Sequence, residues 1–264
     1  MTSASFPSDP SRRKAIIVLK QHDFERCVYE SEAAEALFDD EVVILQTPIQ
    51  LNQQASRALK NISAAGLARP GMILIQSPFD LDVYEDVEHA PQRFALAKYM
   101  HFSHLCRQLG AKSVEVEQVS LTSRAGKISV KVNAESRYAE ADTSVEKEDL
   151  EELRSQMSIS DIFAGGEADI DAAQDLLEKT GLYADPTMRA LVDMRRGAEN
   201  RLLSRTLKLN LSSESRQNFH VVGRLKIPSF VDISGDYNRI CLERHEYSAT
   251  LRVEFSEAKK AGQH

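Results

Sequence analysis

PQRFALAKYMHFSHLCRQLGAKSVEVEQVSLTSRAGKISVKVNAESRY, residues 91–138, contains a change of period that decides the fold class. In its first half Phe94, Ala95, Tyr99, Phe102, Leu105, Cys106 and Leu109 recur at helical spacing. Pro91 suits a first helical turn, and Gly110 suits the stop. In the second half the period falls to two. Ser113–Leu121 alternates with a phase slip between Val116 and Val119, which predicts a β-bulge. Arg124-Ala125-Gly126 reads as a turn, and Ile128, Val130, Val132 and Ala134 then share one face. The stretch is therefore a helix that feeds a β-hairpin with one wet face.

The same pattern is expected a second time. Asp185-Pro186 reads as the N-cap and first residue of a helix running to about Leu203, with Met188, Leu191, Val192, Ala198 and Leu202 on its apolar face. Thr206–Ile227 would form the second hairpin. Leu207, Leu209 and Leu211 alternate in its first strand, and Phe219–Ile227 is its return strand, ended by Pro228. An acidic insert over residues 142–185 separates the two units. Thr143 and Glu146 fit a capping box, and Leu150, Leu153 and Met157 line one helix face. Gly165-Gly166 breaks the chain before a short amphipathic segment of Ile170, Ala173, Leu176 and Leu177, closed by Gly181. Tyr247–Phe255 alternates as a further strand.

Upstream, Ala15–Leu19, Val42–Leu45 and Met72–Ile75 are short β-branched runs that read as buried strands. Leu51–Ala65 has helix-face spacing with Gly66 as its cap, and Glu30–Phe38 fits a short helix. This order has local α/β character without a glycine-rich phosphate loop. The fold expected is α+β: a mixed or antiparallel twisted sheet packed by two long amphipathic helices, with a helical insert between two β-hairpin units. Residues 1–13 read as a disordered tail, 14–256 as a single domain and 257–264 as a polar tail.

Composition narrows the function classes. The 264 residues carry a net charge of −7, with 42% hydrophobic and 28% charged residues, near the globular average. The negative balance argues against nucleic acid as a partner. Cys27, Cys106 and Cys241 are odd in number and form no CxxC pair, which fits a reduced, cytoplasmic protein. No apolar run approaches the length of a membrane span, so no membrane anchor is expected, and no apolar core of a signal peptide follows the first basic residues.

Several clusters have the residue types that chemistry needs. Asp80, Asp82 and Glu85 with His89 lie in the acidic stretch SPFDLDVYEDVEH; carboxylates bind hard divalent cations, and His89 would carry a proton. The plainer reading is a solvated loop favoured by the positive N-terminal end of the following helix. His101 and His104 stand three apart on one helix and are metal-ligand candidates, although Cys106 points to the opposite face. Asp169, Asp171 and Asp175 flank the glycine break with Asp161 and Glu167, and Arg195 and Arg196 lie in a stripe with Arg189, Arg201 and Arg205. These two groups are candidates for binding, and internal pairing of the arginines with the acidic insert is the favoured arrangement. His220, His245 and Cys241 fit no nucleophile signature, and there is no GxSxG elbow.

The function expected is a non-catalytic binding or assembly protein acting through a protein partner or as a homo-oligomer. One alternative is a metal-dependent enzyme acting on a phosphate ester through residues 80–89. A second is a pore-forming or membrane-remodelling protein that stores KISVKVNA and RTLKLNLSS as amphipathic hairpins. No cofactor is indicated beyond a divalent cation.

Overall fold

In a computed structural model the described residues are 6–29, 39–49, 54–123, 126–131, 137–139, 144–157, 160–197, 201–225, 227 and 245–256. In chain order the elements are β1 (Ala15–Lys20), α1 (Gln21–Tyr29), β2 (Val42–Thr47), α2 (Arg57–Ala64), β3 (Ile73–Gln76), β4 (Tyr84–Asp86), α3 (Ala90–Gln108), β5 (Ala111–Ser123), β6 (Gly126–Lys131), β7 (Arg137–Ala139), α4 (Ser144–Met157), β8 (Asp161–Ile162), α5 (Ile170–Lys179), α6 (Pro186–Arg196), β9 (Ser204–Asn210), α7 (Arg216–Gly223) and β10 (Glu246–Phe255). The class is α+β, with helices and two mixed or antiparallel sheets. No helix among the described residues is long and apolar enough to cross a membrane. The chain divides into two units, Met1–Arg93 with Ser215–Arg244, and Phe94–Glu214 with His245–His264.

The first unit is built on β1. Its run AIIVL is apolar on both faces because both are covered. Ile16 and Val18 pack with Ala58 and Ile62 of α2, Met72, Leu74 and Tyr84. Ile17 and Leu19 pack with Cys27 and Phe24 of α1 and with Leu225 and Ile227. The sheet order is β2-β1-β3-β4. β1 and β2 are parallel, as alternating α/β elements suggest, but β3 enters antiparallel to β1, with Ala15 opposite Ile75, so the α/β pattern ends there. Helix α2 begins at Arg57 rather than Leu51, because the Ser56 hydroxyl accepts the Leu59 N–H and caps it. Gly66 closes it with φ +69°, while the Leu67 N–H donates back to the Ile62 carbonyl. The expected helix over 30–38 lies outside the described residues, whereas α1 follows β1 directly.

The segment 219–227, expected as a strand, does not form one among its described residues; α7 occupies Arg216–Gly223 instead. Phe-His-Val-Val looks β-prone, but burial falls on Asn218, Val221 and Val222, which is helical spacing. The Asn218 amide anchors the helix by donating to the Gln76 carbonyl at 2.8 Å. The second hairpin therefore does not form as expected. β9 pairs with β10 instead, from Ser248 opposite Asn210 to Glu254 opposite Ser204. The second of the expected long helices is also shorter. α6 ends at Arg196, and Gly197 turns extended.

The second unit holds a six-stranded sheet of order β7-β6-β5-β10-β9, with β8 pairing at the start of β5. The anticipated bulge is at Glu117: Gln118 faces Thr250 and Val116 faces Leu251, leaving Glu117 as the extra residue. Val114, Val116, Val119 and Leu121 of β5 turn inward with Tyr247, Ala249, Leu251, Val253 and Phe255 of β10 and with Leu207 and Leu209 of β9. Leu150, Leu153 and Met157 of α4 are buried, as their spacing predicted. The opposite sheet face is polar across four strands, in rows such as Ser129-Ser120-Ser248-Asn210 and Glu115-Arg252-Thr206.

Gly110 joins α3 to β5 at φ +76°, and a Cβ there would lie 2.3 Å from the Gly166 carbonyl oxygen. Gly110→Ala is expected to cost well over the roughly 1–2 kcal/mol of a left-handed non-glycine residue. Gly66→Ala, with nothing within 4 Å of the added carbon, should cost only about that amount. Urea denaturation of the two variants measures the difference, and equal losses would show that the Gly166 segment yields.

Candidate functional site

In the second unit a set of charged side chains gathers around Lys98. This residue lies within the apolar stripe of α3, four residues after Phe94 and four before Phe102, and is 0% exposed. Its Nζ donates to Asp185 Oδ2 at 2.6 Å, Ser213 Oγ at 2.9 Å and Glu214 Oε1 at 2.9 Å. An ammonium has three donors, and all three are used. Asp185 is held from the other side as the N-cap of α6, where its Oδ1 accepts the N–H groups of Thr187 and Met188. That helix end supplies partial positive charge, offsetting the second carboxylate around a single cation. Ser213 donates to Glu214, which closes the ring. Nζ meets Ser213 as a donor, so it is not placed to take the hydroxyl proton, and the set reads as a closed ionic joint.

Two more polar joints share this unit. Asp161 of β8 accepts from the Tyr99 hydroxyl at 3.3 Å and from Ser103 by a shorter bond. Burial, then the Asp161 charge, pushes the Tyr99 hydroxyl up, and the same two causes raise the Cys106 thiol, so both stay protonated. Arg195, a candidate for binding, is instead interior. It donates from Nε to the Leu109 carbonyl at 3.1 Å and from Nη1 to the Leu202 carbonyl at 2.8 Å, and its guanidinium lies 4.5 Å from the Phe255 ring centre. It thus satisfies a carbonyl at the end of α3 that the helix itself leaves open. Arg196 is exposed beside it.

The acidic insert serves mostly local ends. Asp169 caps α5 by accepting the Ala172 N–H, Asp171 is exposed in the first turn, and Asp175 pairs with Lys179 at 3.3 Å. The expected pairing with the arginine stripe exists at Glu167–Arg201, where the arginine depresses the Glu167 carboxyl.

In the first unit the acidic stretch 80–89 is divided among partners. Asp80 pairs with Arg57 at 2.9 Å, and Asp82 with Arg13 at 2.7 Å. Arg13 also donates to the Leu81 carbonyl and the Tyr84 hydroxyl. Glu85 lies in β4, where burial raises its carboxyl. His89 gathers with Asp86 and Glu88, their ligand atoms within 4.8 Å of one another, but Asp80, Asp82 and Glu85 do not join that group. His101 and His104 are half-buried, and burial lowers both imidazoles. His104 Nε2 already faces Arg107 Nη2 at 3.0 Å and Gln108 Nε2 at 3.3 Å, and Cys106 turns into the core.

Sequence reasoning passed over Lys98, Ser213 and Glu214. A lysine at i+4 between two buried phenylalanines was the available signal, since such a position is reserved for apolar side chains unless partners await it. Lys98→Met should destabilise the protein by about 3–5 kcal/mol in denaturant unfolding, because it leaves buried carboxylates without their cation. Adding Glu214→Gln should return part of that loss. A loss under about 1 kcal/mol would mean that water reaches the carboxylates.

No protein-family model matches the chain, and neither a curated protein nor a solved structure is significantly similar to it.

Proposed function

We propose that the chain is a non-catalytic binding or assembly protein that acts through protein–protein contacts. The observation that carries this reading is the contrast within the second unit. Of the groups there that could do chemistry, Lys98, Tyr99, Ser103, Asp161, Asp185 and Arg195 are engaged in joints between elements. The sheet's outer face is polar, and large apolar side chains (Met100, Ile162, Tyr183, Met194 and Leu203) stand exposed around the unit. Interior groups held by fixed partners beside open surfaces suit recognition, and catalysis needs a reactive group facing a substrate. Light scattering on the eluting protein, recorded at 260 and 280 nm, tests the assembly side of this reading. A defined oligomer free of nucleotide is expected under self-assembly, and excess 260 nm absorbance would instead favour a phosphate ligand at the exposed arginines.

The metal-dependent alternative draws on the Asp86, Glu88 and His89 group alone, because arginines already hold Asp80 and Asp82. It requires manganese or magnesium to raise the melting temperature, and Asp86→Asn to abolish the rise. No shift with either ion sinks it. The pore-forming alternative draws on the alternation of β6 and β9, and one wet sheet face already accounts for that pattern.

A further inference from the structure

We infer that the β9 edge of the six-stranded sheet is a docking site for an extended peptide segment of a partner, with acidic residues alternating with apolar ones. This rests on the binding-protein reading above and names its surface.

The Phe255 N–H donates to the Leu203 carbonyl at 2.8 Å, and the Leu211 N–H donates to the Tyr247 carbonyl at 2.9 Å. These bonds bracket the β9–β10 ladder, whose register runs unbroken from Ser204 opposite Glu254 to Asn210 opposite Ser248. In an antiparallel ladder alternate residues turn their N–H and C=O toward opposite sides. The odd-numbered residues of β9 therefore face β10, and Ser204, Thr206, Lys208 and Asn210 direct their backbone groups outward. Among the described residues β9 has one strand neighbour, β10. The outward row is a template for an added strand of about seven residues.

Side chains set the identity of the occupant. β9 reads SRTLKLN and carries two cations and no acid, in a chain whose net charge is −7. Lys208 is exposed on the polar face of the sheet, and Arg196 is exposed at the end of α6. On the other face, Leu203 and Met194 are 46% and 44% exposed. The Leu202 N–H reaches the Met194 carbonyl, and Arg205 Nη1 lies 2.8 Å from Met194 Sδ, so Met194 borders this edge. A strand added here would place one set of alternate side chains beside Lys208 and the other beside Leu203 and Met194. The first set is matched by carboxylates and the second by apolar groups. A second copy of this chain fits less well, since pairing β9 with β9 brings two basic edges together.

The test uses the full chain and a fluorescein-labelled decapeptide of alternating Asp and Val, read by fluorescence anisotropy. Saturable binding that weakens with added salt is expected. A Lys–Val peptide should bind at least about tenfold more weakly, as should an Asp–Val peptide N-methylated at alternate amides, because charge and backbone bonds each fail in turn. Lys208→Glu should lower affinity for the acidic peptide by about tenfold or more with an unchanged melting temperature. Thr206→Pro removes an outward N–H that no ladder bond uses, and should weaken binding while Thr206→Ala does not. Equal binding of the acidic and basic peptides, or indifference to Lys208→Glu, overturns the proposal. So does a homo-oligomer that Lys208→Glu dissolves, which would assign the edge to a second copy. If peptide binding fails while light scattering shows an oligomer untouched by these variants, the edge assignment falls and the wider assembly reading stands.

Discussion

A lysine ammonium kept from water must find acceptors for all three of its hydrogens, and at Lys98 the second unit is arranged so that it does. The requirement is severe because a buried charge without partners costs several kcal/mol, comparable with the whole stability of a domain. Meeting it brings the middle of α3, the first turn of α6 and the segment leaving β9 to one point. These three segments are far apart in sequence. The joint therefore does what an apolar contact of the same size does less strictly: it admits one arrangement of its elements, because a shift of an ångström leaves a carboxylate or an N–H unmatched.

Arg195 and Asp161 extend the same logic along α3. Arg195 binds carbonyls at the helix end and before β9, and Asp161 receives two hydroxyls from the face that looks toward β8. Each replaces water with fixed partners, so these polar joints along α3 are buried and yet hydrogen-bonded. In the first unit the equivalent constraint is apolar. β1 is covered on both faces by α1 and α2 with their neighbours, and Arg13 closes the end of that sheet against Asp82 and Tyr84.

In the second unit Lys98, Asp161, Asp185 and Arg195 serve as internal fasteners. Its surface holds a sheet face of serines, threonines and paired charges, an outward row of backbone groups on β9, and a few exposed apolar side chains near it. Such surfaces recognise extended chains through backbone bonds and sort them by charge, without strain or an activated group.

Local periodicity determined a good part of this. The helix from Pro91, the bulge before Val119, the strand from Tyr247, the buried face of α4 and the Asp185-Pro186 cap were all legible, because each depends on residues within a few turns of one another. Tertiary structure decided the rest. The segment 219–227 has valines that suit either a strand or a helix, and packing of Asn218, Val221 and Val222 selected the helix. β9 found β10 rather than its sequence neighbour, and no local pattern encodes a pairing across dozens of residues. Asp80, Asp82 and Arg195 were candidates in the sequence, but the partners they have, Arg57, Arg13 and two distant carbonyls, were not named by it. Composition and spacing state which groups a chain possesses, but whether a charge is free or already satisfied depends on which distant segment the fold brings against it.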